Sequence, residues 1–122
     1  MMKFGSVVLD SGNSKELSEF YRNLLGWRLE DHGEWIVLFN PEEKGTNLTF
    51  QQVDDYQRPT WPDEKGKQRQ MLHLDFYVPE AQYEQEIERA ISLGAVINPH
   101  QPEEDWKVLL DPAGHPFCLL TM

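Results

Sequence analysis

The sequence predicts an α+β fold made from one small unit used twice, each copy running strand, helix, strand, strand, strand. Three internal matches predict it. Ser6–Leu9 corresponds to His73–Phe76 at an offset of 67 residues, and Leu25-Gly26 recurs as Leu93-Gly94 at 68. Trp35-x-Val37-Leu38-x-x-Pro41 recurs as Trp106-x-Val108-Leu109-x-x-Pro112 at 71. The offset drifts in the helix and the hairpin, where changes of length cost least. At 122 residues the chain is one domain, 1–122, with a first module at about 4–53, a connector at 54–70 and a second module at about 71–122.

Ser6–Asp10 opens the first module as a strand, with Val7 and Leu9 on one face. Asn13 then caps a helix, with Glu16 three residues on. Leu17, Phe20, Tyr21, Leu24 and Leu25 give that helix one buried stripe, and Gly26 ends it. Strands follow at Trp27–Glu30, Trp35–Phe39 and about Asn47–Val53, separated by turns at 31–34 and 40–45. The connector holds Pro59, Trp61, Pro62 and Gly66 and shows no periodicity. It is longer than a plain loop in a compact domain, which points to a role.

The second module opens on Met71–Val78, read as a strand whose core face carries Leu72, Leu74, Phe76 and Val78. Pro79-Glu80 starts the second helix, Tyr83, Ile87, Ala90 and Ile91 form its stripe, and Gly94 stops it. Ala95–Asn98, Trp106–Leu110 and Phe117–Thr121 complete the strands, with a turn at Asp111–Gly114.

Composition narrows the function. The formal net charge of −10 repels phosphate backbones and disfavours nucleic acid as a partner, while a cationic small molecule is attracted. No apolar run approaches a membrane span, and no signal-peptide pattern opens the chain, so no membrane partner and a cytoplasmic location are expected. The single cysteine, Cys118, excludes an internal disulfide and Cys-x-x-Cys zinc sites.

The candidate chemistry sits on the other face of the 71–78 strand, where His73, Asp75 and Tyr77 stand side by side. His73 reads either as a hydrogen-bonded interior histidine or as a general base, with Asp75 setting its tautomer. Strand rise separates the two by about 7 Å, so contact needs side-chain reach. Tyr77 continues the face as a ligand hydrogen-bonding group. Trp61, without a counterpart in the first half, is the candidate aromatic wall over a ligand, with a dimer contact or a plug as alternatives. Gln51 shares an inner face and offers an amide. Cys118 reads as a small buried filler. His32 and His100 fall in loops, His115 reads as a turn residue, and Trp35 and Trp106 read as structural because they match one another.

Taken jointly, Val7-Val8-Leu9, Phe20-Tyr21-x-x-Leu24-Leu25-Gly26-Trp27, His73-Leu74-Asp75 and Asp111-Pro112-x-Gly114-His115-Pro116-Phe117 resemble the vicinal oxygen chelate superfamily. Its members include glyoxalase I, extradiol dioxygenases, and the fosfomycin- and bleomycin-resistance proteins. Trp61-Pro62-Asp63 ahead of Met71-Leu72-His73 is similar to the glyoxalase-like branch. The resemblance spans nearly the whole chain and implies two βαβββ modules whose mixed sheets curl into a cup, helices outside and ligand inside. It also implies a homodimer.

In metal-dependent relatives four side chains hold a divalent ion, and the resemblance places those positions at Ser6, Thr49 (or Gln51), His73 and Cys118. Only His73 is a good ligand for the usual octahedral ion, and Cys118 stands where a glutamate is expected. The implied function is therefore small-ligand binding in the cup without a metal cofactor, through Ser6, Thr49, Gln51, Trp61, His73, Tyr77 and Cys118. One alternative is a glyoxalase-type lyase, isomerase or dioxygenase, using His73 and Asp75 and a divalent metal ion. The other is a non-catalytic dimeric interaction module.

Overall fold

A computed structural model describes residues 1–102 and 106–122. The chain divides into two compact units, Met1–Tyr56 and Gln57–Met122. The first contains β1 (Ser6–Ser11), α1 (Ser14–Leu25), β2 (Arg28–Asp31), β3 (Trp35–Phe39) and β4 (Asn47–Gln52). The second contains β5 (Leu74–Val78), a 3₁₀ turn at Glu80–Gln82, α2 (Tyr83–Leu93), β6 (Val96–Ile97), β7 (Lys107–Leu110) and β8 (Pro116–Thr121). Each is a βαβββ unit with a four-stranded mixed sheet. The sheet orders are β1-β4-β3-β2 and β5-β8-β7-β6, the same topology twice. Among the described residues, no helix is long and apolar enough to cross a membrane.

In both units the first strand runs parallel to the last, and the remaining pairings are antiparallel. A parallel pair cannot be closed by a tight turn, so the helix and two strands supply the crossover. In the first unit α1 begins where Asn13 Oδ1 accepts the Glu16 N–H at 3.1 Å, and the hydroxyl of buried Ser11 accepts the Asn13 N–H at 2.9 Å. The helix stops at Gly26, whose φ of 73° lets its N–H reach the Arg22 carbonyl. Leu17, Phe20 and Tyr21 bury against Leu9, Ile36, Leu38, Leu48 and Phe50. Tyr21 stacks on Phe50 with ring centroids 5.8 Å apart, and Phe20 meets Tyr21 edge-on at 4.9 Å. Gln52, at the end of β4, ties the strand to the helix start by accepting the Ser14 N–H and donating to the Gly12 carbonyl.

The second unit buries Val78, Ile87, Ala90, Leu109, Phe117 and Leu119, with Phe76 edge-on to Phe117 at 5.9 Å. The Tyr83 hydroxyl donates to the Leu119 carbonyl of β8 and accepts the Lys107 N–H of β7 at 2.9 Å, stitching α2 to two strands. Burial pushes the Tyr83 phenol above the usual tyrosine range, so it stays a donor.

Several expectations need correction. The strand expected from Met71 begins at Leu74, because Pro116 stands opposite His73 on β8 and has no N–H to extend the ladder. The strand expected at Ala95–Asn98 shrinks to Val96–Ile97: the Asn98 side-chain amide turns to the carbonyls of Trp61 and His100, and Pro99 follows. Ile91 lies at the edge of the α2 stripe and is exposed rather than buried. Trp35 is 52% exposed on its sheet, so it is no core residue despite its match with half-buried Trp106. Residues 57–70 fall within the second compact unit, pinned by a Thr60–Arg69 bridge and by Arg58 donating to the Pro112 carbonyl at 2.7 Å.

Tyr83→Phe removes the hydroxyl and leaves the Leu119 carbonyl and the Lys107 N–H without this partner. Stability in urea titration is expected to fall by about 1–2 kcal/mol with the m-value unchanged; wild-type stability would show that the stitch carries no weight.

Candidate functional site

Parallel pairing brings together residues far apart in sequence. In the second unit Asp75 is the register partner of Cys118, and both point away from the face that holds Phe76, Phe117 and Leu119. His73, two residues before Asp75, shares that side. Its Nε2 lies 3.3 Å from Asp75 Oδ1. The side chains therefore close the distance that strand rise alone leaves open. The donor atoms of His73, Asp75 and Cys118 all lie within 4.8 Å of one another. Cys118 is buried, while His73 and Asp75 are exposed.

Trp61 belongs to the same cluster. Its indole meets the His73 imidazole edge-on, with centroids 5.7 Å apart. The backbone around it is held by Asn98, whose buried side chain donates to the Trp61 carbonyl at 3.4 Å. Tyr77 continues the polar face of β5, two residues past Asp75, and is 66% exposed.

The first unit treats the matching positions differently. Ser6 is equivalent to His73, Val8 to Asp75 and Thr49 to Cys118, because Val8 pairs with Thr49 as Asp75 pairs with Cys118. The Ser6 and Thr49 hydroxyls hydrogen-bond to each other at 2.6 Å, and the Ser6 hydroxyl also lies 3.2 Å from the Asn47 carbonyl. Gln51, exposed at the end of β4, stands opposite Trp35 and lines a shallow groove with Trp35, Glu34 and Asp54. Gln51 stands two residues beyond Thr49 on the same face of β4.

The donor set does not fit a hard octahedral ion. Such an ion takes carboxylate, imidazole and water. His73 and Asp75 qualify, but the third converging group is a thiol, and the first unit's two hydroxyls satisfy one another. Asp75 is the donor that sequence reasoning missed in this role. The sequence reads Asp75 as orienting His73, and its pairing with Cys118 follows only from the alignment of β5 with β8.

The remaining histidines stand elsewhere. His115 Nδ1 lies 2.8 Å from Asp111 Oδ2, and Asp111 Oδ1 accepts the N–H groups of Ala113 and His115, so this buried carboxylate builds the turn before β8. His32 Nε2 lies 3.8 Å from Glu30, and His100 is exposed.

Burial, reinforced by the neighbouring Asp75 carboxylate and the hydrogen bond to it, pushes the Cys118 thiol up to about 11. The unfolded thiol ionises near its ordinary value of about 8.5. The folded state therefore disfavours the thiolate, and stability falls as pH rises from about 9 towards 11. Iodoacetamide alkylation of the native protein should be slow at pH 8 and accelerate only towards pH 11. In Asp75→Asn the profile should move to lower pH without reaching that of a free thiol, since burial remains. A native profile matching the urea-unfolded chain would show that the thiol is not held in this way.

A family model described as a glyoxalase-like domain matches residues 6–120. No curated protein matches the chain in sequence. Among solved structures, a glyoxalase-related enzyme from Fulvimarina pelagi is 17% identical with a TM-score of 0.72, covering 100% of this chain and 89% of that one. A glyoxalase/bleomycin resistance protein/dioxygenase family enzyme from Burkholderia phytofirmans is 18% identical with a TM-score of 0.72, covering 98% of each chain. A fosfomycin resistance protein from Mesorhizobium loti is 16% identical with a TM-score of 0.69, covering 100% of this chain and 93% of that one. At such identities the structural likeness speaks for the fold, and with the family match over nearly all residues it leads to one statement of kinship: this chain belongs to the glyoxalase-like domain family, within the vicinal oxygen chelate superfamily.

Proposed function

We propose that the protein binds a small organic molecule on the polar sheet face of its second unit, against Trp61, His73, Asp75 and Tyr77, and that a hard octahedral ion takes no part. The observation that carries this reading is the edge-on contact of Trp61 with His73, itself 3.3 Å from Asp75. An indole beside an imidazole and a carboxylate supplies one apolar wall and two polar anchors, the usual make-up of a small-molecule site.

Charge selects among ligands. The chain carries −10 overall, and Asp75 lies within the cluster, so an aromatic or alkyl cation is favoured over an anion. Trp61 contributes through its ring face or edge, and its removal costs more for a cation than for a neutral ligand.

Benzyltrimethylammonium and benzoate provide the test by thermal shift and calorimetry. The cation is expected to raise Tm in a salt-sensitive manner and benzoate is not. Trp61→Ala should weaken binding of the cation about tenfold while Tm without ligand stays close to wild type. Equal shifts by both compounds, or an unchanged cation affinity in Trp61→Ala, would remove Trp61 and the charge argument from the reading.

A further inference from the structure

We infer that the first unit carries a binding site for a guanidinium group, in the groove at the Trp35 end of β3, with Glu34 and Asp54 as its carboxylate partners. None of these three residues occupies a position that the superfamily resemblance names. The inference does not rest on the ligand reading of the second unit.

The strand itself supplies the precedent. Trp35 and Phe39 lie on one face of β3, at its two ends, while Ile36 and Leu38 are buried on the other face. Over Phe39 sits a guanidinium. Arg28, the register partner of Phe39 on β2, places its guanidinium carbon 4.1 Å from the ring centroid and pairs with the Glu30 carboxylate. Ring, guanidinium and carboxylate form a complete set at that end. At the opposite end the set lacks its cation. Among the described residues the Trp35 indole has no hydrogen-bond, ring or cation partner, and the Glu34 and Asp54 carboxylates have no ion pair.

The walls are held in place. Gly33, Glu34, Trp35, Gln51, Gln52 and Asp54 line an open space of about 430 Å³, within the range of small-molecule sites. Asp31 Oδ1 accepts the Gly33 N–H at 2.8 Å and the His32 N–H donates to the Trp35 carbonyl at 3.0 Å, which fixes the turn that carries Glu34. Gln52 is tied to Ser14 and Gly12, and the Val53 N–H donates to the Ser11 carbonyl at 2.9 Å, which fixes the backbone ahead of Asp54.

Topology does not demand this groove. In the second unit Leu120 stands where Gln51 does, and Trp106 is half-buried. A guanidinium suits the first unit's groove better than an ammonium, because it is flat enough to stack on an indole and its fork of N–H donors matches carboxylate oxygens. A free small molecule and an arginine side chain both present this chemistry.

The test uses the full-length protein and reads the indole N–H resonances by NMR, the Trp35 signal being the one that Trp35→Phe removes. The n-butylguanidinium ion is expected to shift that signal saturably, and n-pentylammonium, of equal charge and similar length, to bind at least about threefold more weakly. Glu34→Gln and Asp54→Asn should each weaken butylguanidinium binding about threefold, and Trp35→Ala about fivefold, read at the Gly33 amide. All three side chains are exposed, so circular dichroism should stay unchanged. A blocked Gly-Arg-Gly peptide that binds more tightly than butylguanidinium assigns the groove to arginine side chains of another chain, and one that binds more weakly assigns it to free small molecules. An unshifted Trp35 signal, equal affinity for the two cations, or affinity unmoved in both carboxylate variants would overturn the assignment. A shift confined to the Trp61 signal would overturn it too, while leaving the ligand reading of the second unit intact.

Discussion

Each unit of this protein depends on one constraint, the parallel pairing of its first strand with its last. β1 lies along β4 and β5 along β8, with helix and hairpin serving as the crossover between them. A parallel ladder fixes which side chains are neighbours and which face they share, and a slip of one residue would send Cys118 to the helix side and Phe117 to the polar side. The cores exclude that slip. Phe117 and Leu119 are buried among Phe76, Val78 and α2, and the Tyr83 hydroxyl reaches the Leu119 carbonyl only in this register. The meeting of Asp75 with Cys118 is thus a by-product of packing on the opposite side of the same sheet.

The two copies of the fold have diverged in their polar faces while keeping their apolar ones. On the helix side, Val7 and Leu9 in one copy answer to Leu74 and Phe76 in the other, and Leu48 and Phe50 to Phe117 and Leu119. On the other side, a serine, a valine and a threonine answer to a histidine, an aspartate and a cysteine. Packing constrains the first set through volume, since interiors tolerate little change of shape. His73 and Asp75 are exposed and escape that demand, so chemistry can accumulate there without loss of fold, whereas buried Cys118 is held to a small volume.

Much of this architecture was legible in the sequence because the signals are local. The α1 stripe from Leu17 to Tyr21, the Asn13 cap and the Gly26 stop depend on neighbours within a turn or two, and the duplication follows from repeating them in order. The 71–78 alternation likewise separated Phe76 from Asp75 correctly. What the sequence could not supply was register between strands more than forty residues apart, and with it the placing of Asp75 beside Cys118. Nor could it foretell that Trp61, in a stretch without periodicity, rests on His73, or that Pro116 cuts the β5 ladder one residue after His73. Exposure of Trp35 was obscured for a related reason: a matched position in a repeat shows shared geometry, not shared burial.

The closure of each unit by its final strand also has a kinetic meaning. Ser6 and the Asn47 carbonyl are 41 positions apart, so the ladder between them can form only after a long loop has been closed and its entropy spent. Helices α1 and α2, made of near neighbours, are free to form first. During synthesis the first unit has all its strands once Gln52 has emerged, whereas the second lacks β8 until residues 116–121 are available. Until then His73 and Asp75 stand on an unpaired edge with no thiol beside them, so the three-group cluster is among the last features of the molecule to be completed.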